Sequence, residues 1–162
     1  MPNPLTQRKW REARFFCIKL AALDGDPNLS RAEEFGFLAS AFLCAARSVV
    51  DVACKENPDA FAQVFQVWKS SLDPEIRAMY EFVSTQRVRA VHFGESTGQH
   101  STESRPALQV YSSALAPWAF DEGATVEVSV YSLRLNGEVR SAREVFSRYL
   151  ESLALFVAKL EA

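Results

Sequence analysis

The chain reads as a mainly α protein: an up-and-down helical bundle of about five helices, with a small β-hairpin insertion before the C-terminal helix. Three observations predict this. Apolar residues recur at three- and four-residue steps over five long segments. The breaks between segments carry helix-capping residues. The period changes to alternation in one region only, between Pro106 and the last helix. The 162 residues suit one domain, and 48% hydrophobic with 23% charged residues is ordinary globular usage. Residues 1–162 are therefore read as a single helical domain, with a polar loop and β insertion over about residues 95–139.

In the first helix, Leu5 to Leu23, the residues Trp10, Ala13, Phe16, Cys17 and Leu20 recur on one face. Asp24-Gly25-Asp26-Pro27 breaks it. Ser30 and Glu33 form a capping box that opens a second helix, Arg31 to about Glu56. Phe35, Phe37, Leu38, Phe42, Leu43, Val49 and Val50 make that helix apolar over much of its circumference, which predicts a central, buried position. Asn57-Pro58 ends it and opens a third, to about Ser70, with Phe61, Val64, Phe65 and Trp68 on one face. Asp73-Pro74 repeats the device and opens a fourth, Glu75 to about Phe93, with Gly94 placed for a left-handed C-cap. Short links between these helices favour antiparallel neighbours.

Residues 95–106, ESTGQHSTESRP, read as a polar loop that holds His100 as a solvated side chain. Beyond them Val126, Val128 and Val130 alternate with Glu127 and Ser129, while Tyr131, Leu133 and Leu135 alternate on the opposite parity. A bulge or twist near Val130–Tyr131 is the expected cause. Asn136-Gly137 signals a two-residue hairpin turn before a return strand of about three residues. Leu108 to Leu115 is a candidate partner strand. Ser141 and Glu144 form a second capping box, and the last helix runs to about Glu161, with Val145, Phe146, Tyr149, Leu153, Phe156 and Leu160 at helical spacing.

Lys plus Arg is 18 and Asp plus Glu is 20, a formal charge of −2. The chain is no polycation, so any contact with nucleic acid has to come from a local patch. Arg8, Lys9, Arg11, Arg14 and Lys19, offset by Glu12, form one cationic cluster, either an RNA-facing stripe or a plain solvated face. With 6 glycines, a glycine-rich phosphate-binding fold is disfavoured. Cys17, Cys44 and Cys54 lack C-x-x-C or zinc-ligand spacing and read as reduced core thiols, so no metal and no cofactor is expected. Trp10, Trp68 and Trp118 read as core or interface anchors. The start of the chain has no secretory h-region, and the apolar run Phe35 to Ala46 is too short to span a bilayer. A cytoplasmic protein without membrane contact is the expectation.

The chemistry-bearing stretch is Arg87-Val88-Arg89-Ala90-Val91-His92, near the end of the fourth helix. On an ideal helix Arg87 and His92 lie about 140° apart round the axis and do not share a face, whereas Arg89 and His92 lie about 60° apart and do. A histidine can move a proton to or from a 2′-hydroxyl or a leaving oxygen, and an arginine can stabilise charge on phosphoryl oxygens. Arginines bridging to acidic neighbours, with His92 capping helix carbonyls, would be the structural alternative. Arg87 and His92 could meet if the helix frays before Gly94, or if a second copy supplies half of the site.

The order of elements around that stretch (an entry helix, the apolar helix FGFLASAFLCAARSVVDVACKE, then DPEIRAMYEFVSTQRVRAVHFG, and a closing helix EVFSRYLESLALFVAKLE) resembles the HEPN family of all-α proteins. Its hallmark is Arg-x4-6-His near the end of a late bundle helix. The resemblance covers most of the chain outside about residues 95–136. It implies a homodimer that sets two Arg/His pairs across a cleft. Active members are metal-independent endoribonucleases, often toxins or effectors in defence systems, so an RNA substrate and an antitoxin or other partner protein are implied. Carried over, Arg87 and His92 are the motif pair and the expected catalytic residues; Arg89, outside the motif, is read from its charge as an added RNA phosphate contact. Active members commonly place a polar residue directly after the motif Arg; here that position is Val88. A catalytically silent protein-interaction or nucleotide-binding module built on the same dimer is the alternative.

Overall fold

Three of the helix starts fall where capping residues stand in the sequence. The computed structural model describes residues 4–28, 31–93, 99–106 and 125–162, and for residues 86–93 the backbone alone. Among these residues it shows α1 (Pro4–Leu23), α2 (Ala32–Glu56), α3 (Pro58–Ser71), α4 (Pro74–Phe93), β1 (Gln99–Pro106), β2 (Thr125–Leu135), β3 (Glu138–Ser141) and α5 (Ala142–Glu161). The fold is mainly α, with a small antiparallel sheet before the last helix. Asn57 Oδ1 accepts from the Ala60 amide at 3.2 Å, Asp73 Oδ1 from Ile76 at 2.9 Å, and Ser141 Oγ from Glu144 at 3.4 Å. Each satisfies an amide that the first helical turn leaves without a partner. The start of α2 differs from expectation. Arg31 stands at the N-cap without capping through its side chain, which instead pairs with Asp26 at 2.6 Å and Glu34 at 2.7 Å. Ser30 and Gly94 lie outside the described residues.

Polar contacts at the helix ends fix directions. The Glu56 carboxylate, at the end of α2, accepts from the Leu5 and Thr6 amides at 2.9 Å each and from the Thr6 hydroxyl at 2.7 Å. One carboxylate thus caps the start of α1 and sets α1 and α2 antiparallel. Gln7 donates to Glu161 at 2.6 Å while Cys17 lies 3.9 Å from Ser147, so α1 also runs antiparallel to α5. Trp68 donates to the Ser152 carbonyl at 3.0 Å while Phe61 meets Phe156 edge-on, which does the same for α3 and α5.

The core follows from the apolar circumference of α2. Phe42, Leu43, Ala46 and Val49 have no exposed surface, and the Phe42 ring lies 4.7 Å from Phe146 of α5. Trp68 is buried against Phe156 at 4.8 Å and Tyr80 at 5.9 Å, as its apolar pattern predicts. By length and by a mean hydropathy of 1.7, α2 also meets the requirements of a membrane span, although the sequence run looks too short. In this fold nine of its 25 residues are buried in the bundle, while Phe37, expected on the buried circumference, keeps 67% of its surface in water. Of the three thiols, Cys17 alone is a core residue; Cys54 is exposed and Cys44 half-buried, which corrects the reading of all three as core. Burial pushes the Cys17 thiol pKa up, against the lowering pull of its Ser147 contact.

The sheet corrects three further expectations. β1 and β2 pair without interruption from Gln99↔Ser132 to Pro106↔Thr125, so most of the stretch read as a polar loop is a strand. β1 is exposed on both faces apart from the half-buried Arg105, which leaves no apolar alternation to read. His100 is therefore a strand residue, its Nε2 3.2 Å from Ser129 Oγ and its ring 5.2 Å from Tyr131. No bulge interrupts the ladder at Val130–Tyr131. The change of parity arises because both faces of β2 are used. Ser129, Tyr131, Leu133 and Leu135 are buried toward the helices, where Phe35 stacks on Tyr131 at 4.0 Å, and Val128 is buried on the other face. The partner strand is β1; Leu108 to Leu115, like Trp118, lies outside the described residues.

The hairpin turn is as expected. Asn136 and Gly137 both take left-handed backbone, φ 50° and 87°, which a two-residue type I′ turn demands. β3 reaches only Ser132 to Leu135 of β2. The α1–α2 loop completes the rest of that edge, with Gly25 N donating to Ser129 O at 2.8 Å and Ser129 N to Asp26 O at 2.9 Å.

Two outcomes follow. Phe42→Ala should cost about 3–5 kcal/mol in urea unfolding because α2 cannot collapse onto the void, whereas Gly137→Ala, with open space round the new methyl, should cost only about 1 kcal/mol of backbone strain. The second concerns acid. Burial raises the Glu56 carboxyl pKa, but the bonds from Leu5 and Thr6 outweigh it and hold it below the ordinary carboxylate value. Its contribution is complete above an unfolded pKa of about 4.3 and is lost as the pH falls through the lower folded value. The gap in urea midpoint between wild type and Glu56→Gln should therefore narrow as the pH is taken from about 6 to about 3.

Candidate functional site

α4 carries Arg87, Arg89 and His92 and remains helical through Phe93. Convergence by fraying before Gly94 is therefore not the arrangement seen. The side chains of all three lie outside the described residues, so their backbone positions and the described neighbours on α4 define the site. Arg87 stands two turns beyond Tyr80 and about 20° from it round the axis; His92 stands about 20° from both Glu81 and Thr85. The two motif residues thus continue different lines of the helix.

Each line has its own described surroundings. On the Tyr80 line, Arg47 of α2 reaches across the bundle. Its Nη1 donates to the Tyr80 hydroxyl at 3.1 Å and to Ser84 Oγ at 2.9 Å, and its Nε pairs with Asp51 at 3.0 Å. Burial lowers the guanidinium pKa, but Asp51 and the Tyr80 hydroxyl outweigh it, so its charge is held more firmly than usual. Tyr149 of α5 sits behind this group, fully enclosed, with a hydroxyl that has no hydrogen-bond partner among the described residues. Burial above all pushes that phenol far above its ordinary pKa, so it stays a neutral donor. On the other line, Glu81 and Thr85 border an open cleft of about 210 Å³, with Arg134 and Leu135 on its far side.

α4 is also fixed at its start. Arg148 of α5 pairs with Asp73 at 3.0 Å and with Glu75, and Arg140 of β3 reaches Glu75 at 3.5 Å. The helix bearing the motif is clamped at its first turn by Arg148 and in its middle by Arg47. Sequence reasoning missed Arg47, although the signal was present: a single cation inside an apolar helical run. Arg134 gave no such signal, because exposed arginines on strands are common. Among the described residues no group of three or more His, Cys, Asp or Glu side chains is placed to hold a metal ion.

No family model, no curated protein and no solved structure matches the chain.

The clamp has a measurable consequence. Arg47→Ala leaves two hydroxyls and the Asp51 carboxylate without their shared donor and should cost about 1–3 kcal/mol. Hydrogen exchange should quicken more in the last two turns of α4 than in α5, and Arg47→Lys, which keeps the charge beside Asp51, should show a smaller effect.

Proposed function

We propose that the chain is a HEPN-like, RNA-binding homodimer that cleaves RNA without a metal ion, through Arg87 of one protomer and His92 of the other. The observation that carries this reading is the Arg-x4-His spacing in the last turns of the fourth helix, within a mainly α bundle of the expected helix order. The separation of about 140° between Arg87 and His92 on a continuous helix favours a site composed from two chains.

In the proposed reaction His92 accepts the 2′-hydroxyl proton, and the 2′ oxygen attacks the adjacent phosphorus. The bond to the 5′ oxygen breaks, that oxygen takes up a proton, and a 2′,3′-cyclic phosphate remains. Arg87 binds the phosphoryl oxygens in the ground state and as charge grows in the transition state. Arg89, about 60° from His92 round the helix, adds a phosphate contact. Cytoplasmic action, with an antitoxin-like partner protein, belongs to the same reading.

Val88 favours a second reading, since a polar residue commonly follows the motif Arg in active members. There the same dimer is a catalytically silent protein-interaction or nucleotide-binding module.

An RNA cleavage assay in chelator decides between them. Wild type should leave cyclic-phosphate ends and spare DNA, which lacks the nucleophile. His92→Ala should abolish cleavage while weakening binding less, and Arg87→Ala should reduce both. Mixing the two variants should raise cleavage above that of either alone, up to about a quarter of wild type, because half of the mixed dimers' sites are intact when the site spans two chains. Absence of cleavage by a dimer verified by sedimentation would select the silent module.

A further inference from the structure

The first helix holds a surface that the reading above does not use. Arg8, Arg11, Arg14, Phe15, Ile18 and Lys19 are all exposed. At 100° per residue they occupy one sector of about 140°, opposite the buried Ala13, Cys17 and Leu20. Phe15 and Ile18 keep 54% and 57% of their surface in water. Lys19 lies 5.6 Å from the Phe15 ring centre, and Arg14 lies 5.8 Å from that of Trp10. Three carboxylates near α1 have partners outside Arg8, Arg11 and Arg14: Glu12 pairs with Lys9, Glu161 accepts from Gln7, and Glu34 pairs with Arg31 and also feels the charge of Lys19. Among the described residues no carboxylate pairs with Arg8, Arg11 or Arg14, although the chain as a whole carries a net charge of −2.

Beside this stripe lies an open cleft of about 260 Å³ between α1 and α5. Trp10, Arg11, Ala154, Val157 and Ala158 line it, together with the hydrogen-bonded pair Gln7 and Glu161. It is smaller than the roughly 300–1,000 Å³ of a typical small-molecule site, and it suits one flat ring system. An unpaired cationic row, an exposed aromatic ring and a ring-sized apolar slot at its side are the components of a single-strand platform.

We infer that the exposed face of α1 binds single-stranded nucleic acid, with phosphates along Arg8, Arg11 and Arg14 and one unpaired base in the cleft beside Trp10. A membrane surface fits less well, because α1 commits its contiguous apolar face to the core and leaves only scattered apolar residues among cations. A second copy fits less well because the stripe would face its own like charge.

The test uses short oligothymidylate, which lacks the 2′-hydroxyl and survives any cleavage by the route above, together with oligouridylate and a duplex of equal length. Both single strands should bind, and the duplex should bind more weakly because it offers no free base. Replacing Arg8, Arg11 and Arg14 by Ala together should weaken binding at least tenfold at low salt and reduce the slope of log affinity against log salt by about 2, or roughly 0.7 per lost contact. Ala158→Trp fills the cleft and should weaken binding severalfold with the salt slope unchanged. Unaltered affinity in the triple variant would overturn the inference. So would tighter binding to phosphatidylserine vesicles than to oligonucleotides, or a loss of self-association in the triple variant as its main effect. The substituted side chains are exposed, and circular dichroism confirms folding in each variant. Cleavage that survives in the triple variant with normal binding would sink this surface and leave the Arg87/His92 reading intact. Oligothymidylate binding without any RNA cleavage would do the reverse.

Discussion

Phe42, Leu43, Ala46 and Val49 of α2 have no exposed surface, and the cover over them arrives from several directions at once. α1 supplies Ala13, Cys17 and Leu20, α4 supplies Met79 and Val83, α5 supplies Phe146 and Tyr149, and the sheet brings Tyr131 onto Phe35. Each large apolar side chain withdrawn from water contributes about 1.5–3 kcal/mol, which has to offset the entropy of ordering the chain. Helix packing alone does not close the shell. The sheet, small as it is, adds Tyr131, Leu133 and Leu135 to the same core. It is therefore a structural member of the bundle, built into the core and not appended to its surface.

A shell so apolar makes every polar group inside it conspicuous. Arg47 is accommodated because Asp51, Tyr80 and Ser84 share its donors, and the result is a fixed spacing between α2 and α4. Tyr149 and Tyr131 have buried hydroxyls without partners among the described residues, a cost that the surrounding packing has to carry. Order in the motif-bearing helix rests on this arrangement, since the Arg148 cluster holds its start and Arg47 its middle.

What the sequence disclosed followed from the physics of single elements. Caps at Asn57, Asp73 and Ser141, the left-handed pair Asn136-Gly137 and the five apolar periodicities are local, and all were legible. What stayed hidden depended on neighbours. β1 is polar on both faces, so its strand character comes from pairing with β2 and leaves no trace in its own pattern. The parity change at Val130–Tyr131 suggested a bulge because burial on two faces and a slip of register look alike along a single strand. The candidate site divides the same way. Arg87, Arg89 and His92 are recognisable as a motif in the sequence, whereas the partners of Arg47 are spread over two helices and could not be read in advance.

α5 is the last described element, and its place among the other helices governs how the protein is made. Phe42, Phe61, Phe65 and Trp68 all precede by 88 residues or more the Phe146 and Phe156 rings that cover them. On a ribosome the first four helices therefore emerge with their shared apolar seam still open, and it closes only once α5 has left the exit tunnel. During that interval the nascent chain exposes the kind of surface that chaperones bind and that aggregates nucleate on. Premature termination within α5 would leave the seam open permanently, so the yield of this protein in a cell should depend on completing its synthesis more than on the stability of any one of its helices.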